Sequence, residues 1–508
     1  MGSKKRIDSP QGPDHAIASV SQPLIPDHEV LSSVDPGNRL YNKDLAPTKP
    51  DSRKWNTYSL VALWMSDAHN IGAYTFGAAL FATGLAPYQV MIGIFLGTLI
   101  VFAGCTWSGY IGHESGGPFP VVQRLSWGVF GANVPALIRA VVGIAWYGIQ
   151  TFLASTALTV LLLRLAPSWT PLTHHTFLGL NALSWICFLG LWAMQLLVLA
   201  SGMEIVRRYV DYAGPVIWII MILLAGWLVV QARGHISFTR GAVHLSVNEQ
   251  IYQTFAAAGL VTAGLATLML NFPDFARFAP SKRSITIGNF WGLPVNWTAF
   301  AVTSAIVSAG TLAIFGKAIL DPAELLSKVN NTPVLIVGVC MFIVATIGVN
   351  IVANFVSPAY DLANVWPAKV NFKVGGVITA VLSIVVMPWK LYSSAAVIRY
   401  FLGSLGAFLG PLFAIMIVDY YLVRRQRITV LDLYRPSSES RYYYRGGINP
   451  IAIAAFIPSA ALAAVCALVP AFHRIAPFAW FVGAGIGGVL FWTLHRLLDR
   501  QELVADEV

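Results

Sequence analysis

Long apolar stretches separated by short polar turns fill the chain from Trp55 to Leu498. Cut at the turns, they fall at approximately 58–83, 90–111, 134–163, 177–200, 206–230, 252–270, 289–315, 333–356, 375–389, 395–423, 451–469 and 475–497. A helix that crosses a bilayer needs about 20 predominantly apolar residues. These segments are too long and too continuously apolar for the strands of an outer-membrane barrel, which alternate over about ten residues. The pattern therefore predicts an all-α membrane protein of about twelve transmembrane helices. Residues 1–54 are polar, scattered with Pro and Ser, and contain no apolar run, so they read as neither a signal peptide nor a span. They are expected to form a flexible cytoplasmic tail, and residues 501–508 a second one.

Two spans carry small or polar residues near their middles. The first reads Trp64-Met-Ser-Asp-Ala-His-Asn-Ile-Gly-Ala-Tyr, and the sixth reads Ala256-Ala-Ala-Gly-Leu-Val-Thr-Ala-Gly-Leu-Ala. Interrupted helices at matching places in two halves are the best sequence pointer to a transporter's binding site. Counting five spans from each break gives two halves, and an odd number per half forces opposite topology. The expected organisation is a five-plus-five inverted repeat, residues 55–232 and 250–424, followed by a loop and two C-terminal helices over 425–500. The third and eighth spans become partners in this scheme.

Those partners carry the most informative polar residues. Trp146 and Gln150 stand four residues apart in the third span, and Asn350 and Asn354 stand four apart in the eighth. On a helix each pair shares a face. Amides at the middle of a membrane are costly unless something polar meets them, so the asparagines are either a ligand wall or hydrogen-bonded links between helices. With an indole to stack and amides to donate and accept, the set suits a flat, neutral, amide-rich heterocycle. Asn70 in the first break and Gly264 in the sixth-span break are placed at the same cavity, although Asn70 is equally suited to capping the helix that follows it. Asp67 and His69 are the deepest titratable groups of the first half. They are candidates for ion coupling, or else groups solvated at the break. Asp274, Asp361 and Asp419 are expected to cap helices or pair with neighbouring cations such as Arg277 and Lys369.

Composition agrees: the 508 residues are 56% hydrophobic and 11% charged, with a mean hydropathy of +0.66. The net charge of +10 lies mostly in loops, where it sets orientation and implies no nucleic-acid partner. Arg207 and Arg208, Arg277, Lys282 and Arg283, Lys369 and Lys373, and Arg424, Arg425 and Arg427 fall on the side of the N-terminus, which places both termini in the cytoplasm. Arg233, Arg240, Lys317 and Lys328 run against that bias. Cys105, Cys187, Cys340 and Cys466 have no paired spacing, so neither a disulfide framework nor a metal site is expected. No HExxH, CxxC or nucleophile elbow occurs, which argues against an enzyme, and no cofactor is expected.

At these residues the sequence resembles the nucleobase-cation symporter family, which includes the allantoin, hydantoin, uracil and cytosine permeases. The resemblance runs from Trp55 to Tyr444. It is carried by His69-Asn-Ile-Gly-Ala-Tyr, Pro118-Phe-Pro-Val, Ala145-Trp-Tyr-Gly-Ile-Gln, Asn271-Phe-Pro-Asp-Phe-Ala-Arg, Ala353-Asn-Phe-Val-Ser-Pro-Ala-Tyr-Asp and Pro388-Trp-Lys. The bacterial allantoin permeases look nearest, in Trp146 with Gln150, in the Val-Asn-Ile-Val-Ala-Asn run and in Asp432-Leu-Tyr. The resemblance implies a fold like that of the leucine transporter, with alternating access. It implies that Trp146 stacks on the substrate, that Gln150 and Asn354 hydrogen-bond its edges, and that Asn70 is the polar residue of the first break.

Two departures follow. The sixth-span break reads Thr262-Ala-Gly-Leu265, without the aromatic that some relatives place there. Sodium-coupled relatives use two hydroxyl side chains just before the first asparagine of the eighth span, and here those positions are Gly348 and Val349. A hard cation needs several oxygen ligands, which these residues do not supply. The sequence thus reads as a monomeric inner-membrane importer of allantoin or a related hydantoin or nucleobase such as uracil, driven by protons rather than sodium. A sodium-coupled symporter and an uncoupled facilitator or channel are the alternatives.

Overall fold

The computed structural model of the chain describes residues 25–505 apart from 82–83, 200–201, 235–244, 317–318, 320–321 and 393–394. Eight described helices are long and apolar enough to cross a membrane, and a ninth span is the pair Val247–Gly264 and Ala266–Ala276, bent by 47°. Three further stretches stand where the first, fourth and ninth spans are expected: the halves Thr57–Ala68 and Ile71–Phe81, then Ala182–Leu199, and Phe372–Val385. The order of twelve follows the apolar pattern.

Local chemistry explains where the helices begin and end. Asn56, Ser246, Asn331, Asn371 and Asn449 each accept a backbone N–H of the first turn that follows, satisfying donors with no intrahelical partner. The second and seventh spans, equivalent in the two repeats, both end at a glycine in the left-handed conformation, Gly116 at φ 66° and Gly316 at φ 71°, which a side chain would strain.

Three stretches widen into π-helix: Trp291–Val295, Asn350–Phe355 and Asp419–Val423. The second coincides with the asparagine pair of the eighth span. A π turn frees a backbone carbonyl from the regular ladder. That of Ala353 is taken by the buried Arg139 of the third span, whose Nη2 donates to it at 2.5 Å.

Interfaces between spans are made by small residues, as expected where lipid supplies no hydrophobic drive. A methyl group at Gly97 of the second span would lie 2.7 Å from the Ala258 carbonyl of the sixth, and one at Gly348 would lie 3.0 Å from Cβ of Ser66.

The expected flexible tail differs in the structure from residue 25 onward. Leu31, Leu40, Tyr41 and Leu45 are buried, and the segment is laced to the helical body by its polar atoms. Asp35 Oδ2 accepts from the backbone N–H of Leu40 and Tyr41, and Asn42 donates to the carbonyls of Pro367 and Val370. Thr48 N–H donates to Gly116 O at 2.8 Å. The fully buried Arg124, on the short helix Phe119–Trp127, ties the layer together. Its guanidinium donates to Leu40 O at 2.7 Å, Leu433 O at 2.9 Å and Asn364 Oδ1 at 2.6 Å. The polar composition of this segment hid the packing because its leucines are widely spaced and all their partners are distant in sequence.

Arg124→Ala leaves three buried acceptors without donors, each worth about 1–3 kcal/mol. A lower melting temperature in detergent and faster protease cleavage within residues 36–48 are expected. An unchanged melt and digest would show the layer to be independent of Arg124.

Candidate functional site

The two broken spans put chain ends inside the membrane, and the first break shows how they are satisfied. Asn70 sits between the halves of the first span. Its Nδ2 donates to Asp67 O at 2.7 Å, and its Oδ1 accepts from Ala73 N at 2.9 Å. The side chain thereby caps the end of one half and the start of the next. The same Oδ1 also accepts from Gln150 Nε2 of the third span at 3.0 Å. Gly72 leaves the room: a methyl group there would meet Gln150 Nε2 at 3.0 Å. The capping and site readings of Asn70 thus hold together, because one amide does both.

Gln150 is left with a buried Oε1 that has no partner. Trp146 lies one turn earlier on the same face, partly buried against the core. From the eighth span, Asn350 is fully buried and donates to Gln195 Oε1 at 2.5 Å, Thr151 Oγ1 at 3.1 Å and Tyr147 O at 3.4 Å. It links three spans and has no donor capacity left for a ligand. Asn354 donates to Asn350 Oδ1 at 2.9 Å, and its own Oδ1 accepts nothing from the described residues. Gln150 and Asn354 thus each keep a carbonyl oxygen with no donor among the described residues, and the residues that anchor Asn350 flank Gln150 in sequence. The asparagines keep their pairing in spite of the π geometry, and they differ in bonding: Asn350 joins helices and Asn354 rests on Asn350.

The other predicted residues scatter. His69 is buried with Nδ1 at 2.9 Å from Tyr74 Oη, its ring edge-on to Trp218 at 4.3 Å and to Phe300 at 5.3 Å. It faces the aromatics of the fifth and seventh spans. Asp67 is buried at the end of the first half-helix. Among the described residues, neither side chain is hydrogen-bonded to Gln150 or Asn354. Gly264 sits exposed at the sixth-span bend, with nothing within 4 Å of an added methyl group. The side toward that break has no aromatic wall.

Of the carboxylates expected to cap helices or pair with cations, Asp274 caps: its Oδ1 accepts from Phe119 N at 2.7 Å, at the start of a distant helix, and its Oδ2 accepts from Ser357 Oγ at 2.5 Å. Asp361 is buried with both oxygens unpartnered and makes no ion pair with Lys369. Asp419 does pair as expected, with Arg424 Nε at 2.8 Å. Residues not singled out from the sequence include Gln195, a single amide in an apolar helix, and Thr151, masked by lying beside Gln150. Arg139 was visible as a lone cation inside the third span.

Among the described residues no cluster of His, Cys, Asp and Glu could hold a metal ion. Gly348 is packed against Ser66, whose Oγ is buried without a partner, as is Thr346 Oγ1.

Comparison with known proteins places the chain in a family. The chain is 38% identical over 484 residues to an allantoin permease of Bacillus subtilis, covering 94% of this chain and 98% of that protein. It is 32% identical over 490 residues to a purine-uracil permease of Arabidopsis thaliana, covering 93% and 80%. Among solved structures it shares its fold with Mhp1, a nucleobase-cation-symport-1 family transporter in a closed conformation with bromovinylhydantoin bound. That match has a TM-score of 0.72 at 23% identity and covers 91% and 96% of the two chains. The five-plus-five helical fold with two further helices is thereby that of this chain. Residues 47–483 match the family described as permease for cytosine/purines, uracil, thiamine, allantoin, and the chain belongs to that family of membrane transporters.

Proposed function

We propose that the protein imports a flat, neutral amide heterocycle, allantoin or a related hydantoin or nucleobase such as uracil, by alternating access. The observation that carries this reading is the buried, unpartnered Gln150 Oε1 one turn from Trp146, with Asn354 held on the eighth span by Asn350, which is anchored on the residues that flank Gln150. Ring N–H groups of such a ligand would satisfy Gln150 Oε1 and Asn354 Oδ1, and buried polar groups without partners are costly. The ring would stack on Trp146, with Asn70 fixing Gln150 and Asn350 fixing Asn354. Gly264 would leave the side toward the sixth span open to a bulkier substituent. Allantoin is put first because of the name and likeness of the Bacillus subtilis relative.

In this reading the layer formed by residues 25–54 lies at the cytoplasmic face of a plasma membrane, both termini are cytoplasmic, and one chain is the working unit. Residues 55–232 and 250–424 form the two repeats. The coupling ion is a proton, because Gly348 and Val349 supply no side-chain oxygen; Asp67 and His69 remain within the bundle as titratable groups. One observation favours sodium instead: the hydroxyls of Ser66 and Thr346 are buried and unpartnered near the same turn. An uncoupled facilitator is distinguished by its failure to concentrate substrate.

Cells expressing the protein are expected to accumulate labelled allantoin above its external concentration, with competition by hydantoin or uracil. Accumulation should collapse with a protonophore and persist when sodium is replaced. Strict dependence on sodium would overturn the coupling, and equilibration without accumulation would make the protein a facilitator.

Binding to purified protein separates the two asparagines. Trp146→Ala should weaken binding about tenfold or more through the lost stack, and Asn354→Ala by a similar factor through one lost hydrogen bond, the latter with a modest drop in melting temperature because Asn350 Oδ1 loses its donor. Asn350→Ala should instead lower the melting temperature, because Gln195 and Thr151 lose their partner. Unchanged affinity in Trp146→Ala would remove the indole from the site.

A further inference from the structure

Between the heterocycle site and the face carrying the N-terminal layer lies a second set of buried polar groups. It contains Arg139 of the third span, Asn271 and Asp274 of the sixth, and Ser357 and Asp361 of the eighth, all of them 0% exposed. Ser357 donates to Asp274 and is hydrogen-bonded to Asn271. Arg139 lies against the same turn of the eighth span, since a methyl group at Gly143 would clash with both its Nη1 and Pro358. Asp361 follows Ser357 by one helical turn on the same face. Its two oxygens are buried without a partner, and so are Nε and Nη1 of Arg139.

The arrangement treats its two carboxylates differently. Asp274 receives one donor on each oxygen, the N–H of Phe119 and the hydroxyl of Ser357, which is the provision an ionised carboxylate needs. Asp361 receives none, and an ionised carboxylate so placed would be very costly. The charged groups on the elements packed around it are Asp274, tied to Ser357 one turn earlier, and Arg139, on the adjoining third span. Of the other packed elements, Phe372–Val385 brings only the exposed Lys373, and Phe119–Trp127 brings Arg124, which is engaged with Leu40, Leu433 and Asn364. Arg277, farther toward the N-terminal layer, donates to Asp44 O. One cation and two carboxylates balance when one carboxylate carries a proton.

We propose that Asp361 is the proton-binding residue of the transport cycle and that Arg139 relays its charge state to the substrate site. This rests on the proton-coupled reading given above. In the conformation described, Asp361 holds the proton and Arg139 is left to hold Ala353 O, the carbonyl next to Asn354. Loss of the proton to water on the cytoplasmic side breaks the Asp361 O–H bond and leaves a carboxylate that draws Arg139 away. The π turn Asn350–Phe355 then loses its clamp, and Asn354 its position. Uptake of a proton from water on the other side re-forms the O–H bond and resets the turn. The cluster also joins the third span of one repeat to the sixth and eighth spans of the other.

The test uses the full chain in proteoliposomes with labelled allantoin. With one proton per substrate, an inward proton gradient of about one pH unit supports about tenfold accumulation, since each unit is worth about 1.36 kcal/mol. Asp361→Asn, fixed in the neutral form, is expected to keep substrate binding and substrate exchange but to lose gradient-driven accumulation and substrate-induced proton uptake. Asp274→Asn should retain proton uptake. Gradient-driven accumulation by Asp361→Asn equal to that of the wild type would overturn the proposal while leaving proton coupling intact. A wild type indifferent to the gradient would overturn both. If Asp361→Asn neither binds nor exchanges, Asp361→Glu decides: a displaced pH dependence of transport supports the assignment, and an unchanged one overturns it.

Discussion

In the membrane interior every backbone N–H and C=O must find its partner within the chain, and a helix broken at mid-membrane violates that rule unless side chains repair it. The first-span break is repaired by Asn70, which answers a carbonyl of one half and an amide of the other. Because the same oxygen also receives Gln150, the repair fixes the position of the Gln150 amide. The break is thus the device that brings an amide of the third span to the middle of the membrane with one acceptor to spare.

The eighth span solves the complementary problem. Its π turn frees a carbonyl and turns two asparagines along one edge. Asn350 is consumed in joining the third, fourth and eighth spans, through Gln195, Thr151 and the Tyr147 carbonyl. That rigid junction gives Asn354 a fixed place, since its Nδ2 rests on Asn350. A ligand-facing amide supported by a fully bonded one costs little to order on binding, and preorganisation of this kind favours affinity and selectivity. The sixth-span break, by contrast, is open at Gly264.

Much of this was legible in the chain. Apolar length gave the spans, and two interruptions at matching places gave the repeats. Spacing of four in the third and eighth spans picked out Trp146, Gln150, Asn350 and Asn354. What periodicity cannot carry is which way a residue beside a break turns: His69 and Asn70 are neighbours, yet one enters an aromatic pocket and the other meets Gln150. Nor does it show partners remote in sequence: the role of Gln195, the choice of Phe119 and Ser357 as the partners of Asp274, and the packing of the layer from residue 25 all lie beyond its reach. Each of those depends on contacts between segments more than about 75 residues apart.

The two sites are connected by the geometry of the third and eighth helices. Arg139 precedes Gln150 by eleven residues, about 16 Å along a helix, and Asp361 follows Asn354 by seven, about 10 Å. Both members of the buried ionic set thus lie on the same two spans that carry the heterocycle amides, on the side of the N-terminal layer. A charge change there need not travel through a long chain of packed residues. It acts through one guanidinium, which can clamp the π turn only while no carboxylate competes for it. Such an element has two arrangements that differ in a single ionic contact, the minimum needed for proton and substrate binding to bias the same equilibrium.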